Sequence, residues 1–301
     1  MMTVDQSYKD LLAQLRSIYE QREAGNIADW VLESIAHIKR IDRVTDKQKQ
    51  LDEVTIQQLN NVVKQLLEHK PIQYVLGEVW FYKMKLKVNE HVLIPRPETE
   101  ELVEWAVEDL RSTMFDVRNE RVGDDIEPRT SDILHILDVG TGSGCIAVAL
   151  KKEIPGSEVF AIDVSEDALQ VAKENASDQD VVVNFLQLDF LDETSWESLS
   201  AFDVIISNPP YIPEKEISSL AENVVEYEPH LALFVTDEDP FIFYKKIAAF
   251  AGEHLKKGGK IFVEIHESYA ENVKLVFEEK NFKTEARKDI YGRERMIKAY
   301  R

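Results

Sequence analysis

The sequence predicts an α/β protein in which a doubly wound, mostly parallel sheet follows a small N-terminal helical bundle and a β-hairpin linker. Three observations support this prediction. From residue 133 onward, short apolar runs alternate with amphipathic stretches of helical period. Before residue 70 only helical patterns occur, and between the two regions residues 79–88 combine aromatic and β-branched side chains. Continuous apolar runs separated by helices are typical of parallel strands that are covered on both faces.

Three helices are predicted in the first 70 residues. Apolar side chains recur there at three- and four-residue steps, which places them on one face of each helix, in residues 4–19, 27–38 and 56–67. Gly25 and Asn26 are expected to separate the first helix from the second. Thr55, with Gln58 three residues later, is expected to form a capping box at the start of the third helix.

A change in composition after residue 70 marks the next two predicted domains. Residues 79–88 predict a hairpin, residues 98–110 an amphipathic helix, and the polar, charged residues 116–132 a mobile loop. Strands are expected at 133–139, 158–164, 181–189, 202–208, 260–265 and 294–300. The predicted domains are a helical bundle, a hairpin linker and an α/β domain, at residues 1–70, 71–97 and 98–301.

The charge of the chain limits the partners that the protein can have. Its 301 residues carry 36 Lys and Arg against 56 Asp and Glu, a net charge of −20. Nucleic-acid backbones and anionic membranes would repel such a surface, so neither is an expected partner. The single cysteine, Cys145, excludes an internal disulfide and a Cys-cluster zinc site, and no metal is expected. No apolar run nears the roughly 20 residues that span a bilayer, and no signal-peptide pattern is present, so the expected location is the cytoplasm.

A glycine-rich turn follows the first predicted strand of the α/β domain and opens a helix. Its residues are Gly140, Thr141, Gly142, Ser143 and Gly144. Glycines let a backbone approach a ligand closely, and a helix N-terminus favours a negative group. The dinucleotide fingerprint would need a third glycine where Cys145 stands, and no Gly-Lys-Ser/Thr follows as in a phosphate-binding loop. The turn alone is also compatible with a purely structural link between strand and helix.

Acidic residues at the ends of the next strands indicate the kind of ligand. Asp163 ends the second strand, 23 residues after Gly140. A carboxylate there can accept hydrogen bonds from both ribose hydroxyls and excludes a 2′-phosphate. The following apolar run ends at Asp189 and Phe190, where a carboxylate can bind an adenine amino group and a ring can flank the base. Core packing explains Phe190 equally well. With the glycine turn, these residues predict an adenosine-containing cofactor.

The segment Asn208-Pro209-Pro210-Tyr211 stands at the end of the fourth predicted strand. In open α/β sheets this edge is where ligands bind. The two prolines fix the turn, so the Asn208 side chain and the Pro209 carbonyl can offer two acceptors to a planar –NH2 group while Tyr211 stacks on it. Holding both hydrogens would aim the nitrogen lone pair at an electrophilic carbon, which is catalysis by positioning and preorganisation. Asn208, Pro209 and Tyr211 are therefore the predicted catalytic residues, and Asn208 to Tyr211 the predicted substrate site.

These residues resemble those of class I methyltransferases that use S-adenosylmethionine and methylate planar nitrogens. More narrowly, the chain is similar to the HemK-type (PrmC) release-factor glutamine methyltransferase family, in motifs such as PIQYVLG, PRPETE and NPPY. The resemblance runs through residues 71–77, 92–100, 138–145, 163, 207–213, 228–229 and 289–295. The chain departs from the family pattern with FVTDEDPF after Leu233 and with His266 where a glycine is usual.

The resemblance implies a seven-stranded sheet and methyl transfer to the side-chain amide of the glutamine in the Gly-Gly-Gln loop of class I peptide-chain release factors. It implies S-adenosylmethionine as the cofactor, held by the Gly140–Gly144 turn, Asp163, Phe190 and Asn208. The N-terminal bundle would then dock the protein substrate, because two acceptors cannot by themselves choose one glutamine. A monomer is expected.

Several residues keep two interpretations at the level of sequence. Arg96, Glu98 and Thr99 lie between the hairpin and the next helix, where they can reach the cofactor or order the domain junction. His266, at the end of an apolar strand, is a candidate general base, although a lone histidine there is more often structural. Cys145 starts a helix, a position that can activate a thiol, but the run Cys-Ile-Ala-Val-Ala-Leu favours a small packed residue.

Three rival functions stay open. An adenine-amino methyltransferase acting on DNA or RNA would use the same two acceptors and aromatic ring on a flipped base. It would also need a basic path for the nucleic acid, which a charge of −20 disfavours. The second rival is a methyltransferase for another protein glutamine, and the family-specific linker is the one feature of the sequence that argues against it. A non-catalytic binding module would retain the sheet but has no reason to retain Asp163 and the complete Asn208–Tyr211 segment.

Overall fold

The computed structural model describes residues 2–119 and 133–301. The chain forms two compact units. The first contains Met1–Glu78 together with Ala221–Tyr227, and the second contains Val79–Leu220 together with Glu228–Arg301. No pattern in the sequence predicted that residues 221–227, far along the chain, would belong to the first unit.

The first unit is a helical bundle with its own core. Leu15, Leu32 and Leu66, from three different helices, are fully buried in it. Two very short strands pair antiparallel beside the helices, which the sequence did not predict. The elements in chain order are β1 (Met2–Thr3), α1 (Val4–Leu15), α2 (Gln21–Ala36), α3 (Arg40–Thr45), β2 (Gln50–Leu51), α4 (Glu53–Leu67) and α5 (Ile72–Leu76).

The predicted helix break at Gly25 and Asn26 is wrong, because α2 runs through both residues and the chain turns earlier, between α1 and Gln21. Glycine in a helix interior costs about 1 kcal/mol relative to alanine. Here the buried residues Ala24 and Ile27, on either side of Gly25, keep the helix continuous because they belong to the core of the bundle. Packing of an apolar face outweighs local propensity.

The predicted capping box at Thr55 and Gln58 is also wrong. Helix α4 begins earlier, with Asp52 as its N-cap, and the Thr55 N–H donates to Asp52 Oδ1 at 2.7 Å. A carboxylate is favoured at a helix N-terminus, where the macrodipole is positive, so Asp52 takes the position. A complete capping box occurs instead at α1, where Thr3 and Gln6 exchange hydrogen bonds at 3.0 and 3.3 Å.

The remaining chain forms a hairpin, a sheet and its covering helices, and the predicted hairpin is confirmed. The elements in chain order are β3 (Glu78–Phe81), β4 (Met84–Lys87), α6 (Pro97–Asn119), β5 (His135–Val139), α7 (Cys145–Glu153), β6 (Glu158–Asp163), α8 (Glu166–Asp178), β7 (Asn184–Gln187), β8 (Phe202–Ser207), β9 (Ile212–Pro213), α9 (Glu222–Tyr227), α10 (His230–Leu233), β10 (Phe234–Val235), α11 (Ile242–His254), β11 (Leu255–Glu264), α12 (Ala270–Glu278), β12 (Lys283–Lys288) and β13 (Glu294–Tyr300). Of these, α9 belongs to the first unit.

Seven strands form one sheet in the order β12-β13-β11-β8-β5-β6-β7. Strands β7, β6, β5, β8 and β11 are parallel, and β13 is antiparallel to both β11 and β12. The chain moves outward from β5 to β7 and then returns to the other side of β5 as β8. At such a switch point a crevice opens outside the carboxyl ends of the strands. The doubly wound, mostly parallel seven-stranded sheet is therefore confirmed.

Helices cover the two faces of the sheet because successive residues of each strand point to opposite sides. Ile261 and Val263 of β11 pack in one cluster with residues of α11 and α12. Phe262, between them, lies edge-on to Trp105 of α6, with 5.6 Å between ring centroids. Burial on both faces explains why this strand reads as a continuous apolar run.

Two segments of low apolar content differ from what the sequence predicted. Strand β12, with the sequence KTEARK, was not predicted, because an edge strand needs no apolar alternation where both faces are partly exposed. The helix predicted at 98–110 extends through α6 to Asn119. The loop predicted at 116–132 is therefore wrong for residues 116–119, and its remainder lies outside the described residues.

No helix in the described ranges, 2–119 and 133–301, is long and apolar enough to cross a membrane.

Replacing Gly25 with alanine is expected to raise the free energy of unfolding by about 0.5–1 kcal/mol, because the helix interior gains propensity. The added Cβ would meet only Tyr8 Oη, at an ordinary contact distance of 3.8 Å. The matched control is Gly77→Ala at the end of α5, where φ is +70°. That variant is expected to lose about 1 kcal/mol, since an L residue is strained there. Urea unfolding measures both, and a destabilised Gly25→Ala would contradict the packing argument.

Candidate active site

The register of the parallel strands brings the predicted site residues to one edge of the sheet. Val139 of β5 pairs with Ile162 of β6 and with Ser207 of β8. Ser207 in turn pairs with Val263 of β11. The next residue on each strand therefore lies at the same carboxyl edge: Gly140, Asp163, Asn208 and Glu264.

The glycine turn between β5 and α7 leaves open space where a ligand can approach. Gly140 and Gly142 have φ values of +71° and +53°, and no atom lies within 4 Å of the position that a Cβ would take at either residue. Gly144 has a φ of +78° and a second reason to be glycine, because its Cβ would lie 3.0 Å from Ala172 Cβ of α8. The turn thus needs glycine for backbone conformation at all three positions and also for helix packing at the third.

Asp163 holds the glycine turn from the neighbouring strand. Its Oδ2 accepts from the Gly142 N–H at 2.8 Å, and its Oδ1 accepts from the Ser165 N–H at 3.0 Å. Burial raises the pKa of this carboxyl, and the backbone N–H bonds oppose the shift. Each carboxylate oxygen retains a lone pair that can accept from a ribose hydroxyl. The residues present therefore fit an adenosine group.

Asp138 is a second acid beneath the turn, and the sequence analysis gave it no role. Its Oδ2 accepts from Thr141 Oγ1 at 2.6 Å. Burial raises its pKa to about 7, while the bond from Thr141 lowers it. Its position two residues before Gly140 was a signal that could have drawn attention to it. The acid anchors the side chain of Thr141 within the predicted cofactor turn.

Asp189 and Phe190 follow β7 but differ in burial. Asp189 is exposed, and its Oδ1 accepts from the Leu191 N–H at 2.9 Å. Phe190 is buried in the core, with its ring centroid 5.5 Å from that of Trp196 and 5.4 Å from that of Phe250. Core packing is thus one role of Phe190. A contact of either residue with the adenine ring stays a prediction.

Four side chains of the predicted catalytic region form one hydrogen-bonded chain. Asn208 Nδ2 donates to Thr99 Oγ1 at 3.0 Å, and Thr99 Oγ1 donates to Glu264 Oε2 at 2.6 Å. Tyr211 Oη donates to the other oxygen, Glu264 Oε1, at 3.1 Å. Both ends of the Asn208–Tyr211 segment are therefore connected to one carboxylate, which we call the Glu264 network.

Glu264 is the residue that sequence reasoning missed. It is buried at the end of β11, and burial raises its pKa to about 7, against the bonds from Thr99 and Tyr211. Glu98 raises the pKa further, and Arg295 lowers it. Its place at the carboxyl end of a predicted strand was the available signal.

The linker residues take different positions. Thr99 is in the Glu264 network, whereas Arg96 binds Glu228, with 2.5 Å between Arg96 Nη2 and Glu228 Oε1. The other oxygen of Glu228 accepts from the Ile94 N–H at 3.2 Å. Arg96 therefore orders the linker through a buried carboxylate. The charge of Glu98 raises the pKa of Glu264 in the network.

His266 is half-buried and Cys145 is buried. His266 Nε2 lies 3.7 Å from Glu216 Oε2, and burial lowers the pKa of the imidazole. Cys145 is buried, and burial raises the pKa of its thiol to about 12. A packed thiol at this position agrees with the interpretation favoured by the sequence. No group of three or more potential metal ligands occurs among residues 2–119 and 133–301.

The glycine turn, Asp163 and the Asn208–Tyr211 segment at one sheet edge define an S-adenosylmethionine-dependent methyltransferase. A family model described as a methyltransferase domain matches residues 130–297, and one described as the PrmC N-terminal domain matches residues 8–77. The solved hMettl16 catalytic domain, bound to a MAT2A 3′UTR hairpin, shares the fold with a TM-score of 0.51 and 15% identity, over 71% of this chain and 74% of that one.

Relatives narrow the class to one family. The release factor glutamine methyltransferase of Flavobacterium psychrophilum is 42% identical over 286 residues, which is 94% of either chain. That of Streptococcus pneumoniae is 38% identical over 296 residues, covering 95% of this chain and 97% of the relative. The chain belongs to the release factor glutamine methyltransferase family, and the resemblance inferred from its motifs is confirmed.

Replacing Asp163 with alanine is expected to weaken the binding of S-adenosylhomocysteine at least tenfold. Each hydroxyl contact to a charged acceptor contributes about 1.5–3 kcal/mol, and the tether to Gly142 is lost as well. Isothermal calorimetry measures the affinity, with Asp167→Ala as the control, because Asp167 is an exposed acid on α8. Tight binding of NAD, without binding of S-adenosylhomocysteine, would contradict the cofactor assignment.

Proposed function

We propose that this protein transfers a methyl group from S-adenosylmethionine to the side-chain amide nitrogen of the glutamine in the Gly-Gly-Gln loop of class I peptide-chain release factors. The observation that carries the proposal is the orientation of Asn208, whose Nδ2 is held by Thr99. Its Oδ1 is thereby left as an acceptor, and the Pro209 carbonyl, one residue on, is the second acceptor that the proposal uses. The names of the relatives support the release factor as the substrate.

An amide nitrogen is a poor nucleophile because its lone pair is delocalised into the carbonyl. The Asn208 oxygen and the Pro209 carbonyl would each accept one N–H of the substrate amide, which directs the lone pair out of the amide plane. The Tyr211 ring would stack on the flat face of the amide. These residues act by positioning and by fixed dipoles, with no covalent bond to the protein.

When bound, S-adenosylmethionine would supply an electrophilic methyl group on its sulfonium, the N–C bond forming as the C–S bond breaks. The Gly140–Gly144 turn and Asp163 would hold the adenosine end of the cofactor at the same edge. The substrate nitrogen would then lose one proton to water. The products are a methylated amide and S-adenosylhomocysteine.

The nucleic-acid rival fits this chain less well. A flipped adenine would also present an –NH2 group to Asn208 and Pro209, but its strand needs a basic path. The chain carries a net charge of −20. The solved neighbour that binds RNA shares the fold alone, at 15% identity. A protein substrate is therefore favoured.

We further infer that the N-terminal bundle docks the release factor, that the enzyme acts as a monomer, and that it works in the cytoplasm, where peptides are released. Ile41 and Val44 of α3 are exposed to 65% and 53%, and Val54 at the start of α4 to 65%. Exposed apolar side chains on a small helical unit suit a protein partner. The family model for the N-terminal domain covers this region.

The purified protein is expected to transfer one methyl group from labelled S-adenosylmethionine to the Gly-Gly-Gln glutamine of folded release factor, and none to duplex DNA. Asn208→Ala is expected to reduce turnover on the order of a hundredfold or more, since it removes a preorganised acceptor, while much of the cofactor affinity remains. Tyr211→Phe should cost less, because the ring remains. Mass spectrometry of the modified peptide locates the methyl group.

A release factor with Glu in place of that glutamine is the matched substrate control, since a carboxylate has no amide hydrogens. It should receive no methyl group. Methylation of adenine in nucleic acid, with the release factor untouched, would replace this proposal with the rival.

The docking proposal is tested by replacing Ile41 and Val44 with serine together. We expect KM for folded release factor to rise about tenfold, whereas kcat and S-adenosylhomocysteine affinity stay the same, because the catalytic edge is unchanged. The control is Val182→Ser, which changes a valine exposed to 77% in the second unit. If both variants have the wild-type KM, the exposed apolar residues of α3 are not the docking surface.

A further inference from the structure

We propose that Glu264 is a positioning residue that sets the orientation of the Asn208 amide through Thr99 and that of the Tyr211 ring directly. The proposal rests on the proposed function, since the glutamine amide is the group that Asn208 must receive. It follows from which atoms of the Glu264 network can donate a hydrogen and which can only accept one.

The bond between Thr99 and Glu264 has only one possible direction when the acid is ionised. A carboxylate carries no hydrogen and can only accept. The Thr99 hydroxyl has a single hydrogen, which it gives to Glu264 Oε2 at 2.6 Å. Thr99 Oγ1 then has nothing left to donate and can only accept from its other neighbours.

That direction decides which end of the Asn208 amide faces Thr99. The Asn208 atom at 3.0 Å must be a donor, which is Nδ2, because Oδ1 in that place would put two acceptors against each other. The carbonyl oxygen Oδ1 is therefore turned away from Thr99 and is free to accept. A flipped amide would present its own N–H groups to the substrate –NH2, so the substrate nitrogen could donate no hydrogen bond to it.

Tyr211 is held by the same acid. Its hydroxyl donates to Glu264 Oε1 at 3.1 Å, so the far end of the ring is held in place. The acid therefore connects the acceptor and the stacking ring that lie on either side of the prolines. A change in Glu264 is transmitted to both without any contact between Glu264 and the substrate.

The arrangement requires an ionised acid, and the acid is easy to protonate. Burial raises the pKa of Glu264 to about 7. A protonated Glu264 has its own hydrogen to donate, so Thr99 or Tyr211 must become an acceptor. Thr99 can then turn its hydrogen toward Asn208 and favour the flipped amide. We therefore expect kcat to fall as the pH decreases through about 7.

The charged and titratable groups around Glu264 come from several elements, among them α7, whose Cys145 has a pKa raised to about 12, chiefly by burial and in small part by the charge of Glu264. Glu98 of α6 raises its pKa, and Arg295 of β13 lowers it. Tyr244 of α11 donates to the Glu264 backbone carbonyl at 3.0 Å, and burial keeps its own pKa far above 10. His266 lies two residues further along the chain, with a lowered pKa. Asp138 of β5 also has a pKa of about 7, but its partner is Thr141, so its titration should change the KM for the cofactor.

The central experiment compares the wild type with Glu264→Gln, an isosteric change that keeps the volume and removes the charge. At saturating cofactor and release factor, kcat is measured between about pH 6 and 9. We expect Glu264→Gln to lower kcat at least tenfold at the upper end of this range and to remove the acid limb, with the KM for the cofactor within about twofold of the wild type. The side-chain Nε2 of the glutamine would donate a hydrogen to the hydroxyl of Thr99 or of Tyr211. That hydroxyl would then accept, so the single direction of donation toward residue 264 would be lost.

Two threonine variants separate positioning from packing. Thr99→Ser keeps the hydroxyl and should retain both kcat and the acid limb. Thr99→Val has the same shape without the hydroxyl and should lower kcat as Glu264→Gln does. His266→Asn should keep the acid limb, which assigns the limb to Glu264. Wild-type kcat and an intact limb in Glu264→Gln would overturn the proposal, and so would full activity of Thr99→Val.

A measurement without substrate distinguishes failure of this proposal from failure of the proposed function. The side-chain NH2 signals of Asn208, assigned in the NMR spectrum by their loss in Asn208→Asp, should shift with pH around 7 in the wild type. They should not shift in Glu264→Gln. If the wild type does not methylate release factor, the proposed function fails while this titration still tests the network. If the signals do not respond to pH in the wild type, the positioning role is refuted.

Discussion

Val139 pairs with Ile162 on one side and with Ser207 on the other, and Ser207 pairs with Val263. This register of four parallel strands determines where Gly140, Asp163, Asn208 and Glu264 stand, because each of them directly follows one of the paired residues at the same edge. A shift of one residue in any pairing would turn a side chain to the opposite face of the sheet. The hydrogen bond from Ser207 Oγ to the Val139 carbonyl, at 2.7 Å, reinforces the alignment at the strand ends.

A buried carboxylate is a costly way to hold two side chains, and the structure compensates for it locally. Glu264 is 1% exposed, and two hydroxyls and the positive field of Arg295 favour its charged form. In a site of low polarity, such bonds are stronger than in water, and a buried network has one well-defined arrangement only when all its members are satisfied. Rigidity at the edge is thereby obtained from polar groups on three different elements.

The sequence was sufficient wherever a pattern depends on neighbours along the chain. Apolar runs located the central strands, and the order of glycines, Asp163 and Asn208 located the edge. It failed where tertiary packing overrides local preference, as at Gly25, and where an edge strand such as β12 carries no apolar pattern. The bond between Thr99 of α6 and Glu264 of β11 joins residues 165 positions apart, so only the folded structure could reveal it. The roles assigned to the individual site residues stay predictions.

The burial of Cys145 has a practical consequence for chemical labelling. Alkylating reagents and oxidants attack the thiolate, and burial raises the pKa of the Cys145 thiol to about 12, which keeps it protonated at neutral pH. The chain contains no other cysteine. A cysteine introduced at an exposed position such as Ile41 would therefore take up a maleimide dye alone. The natural sequence is already a background-free host for single-site fluorescent probes.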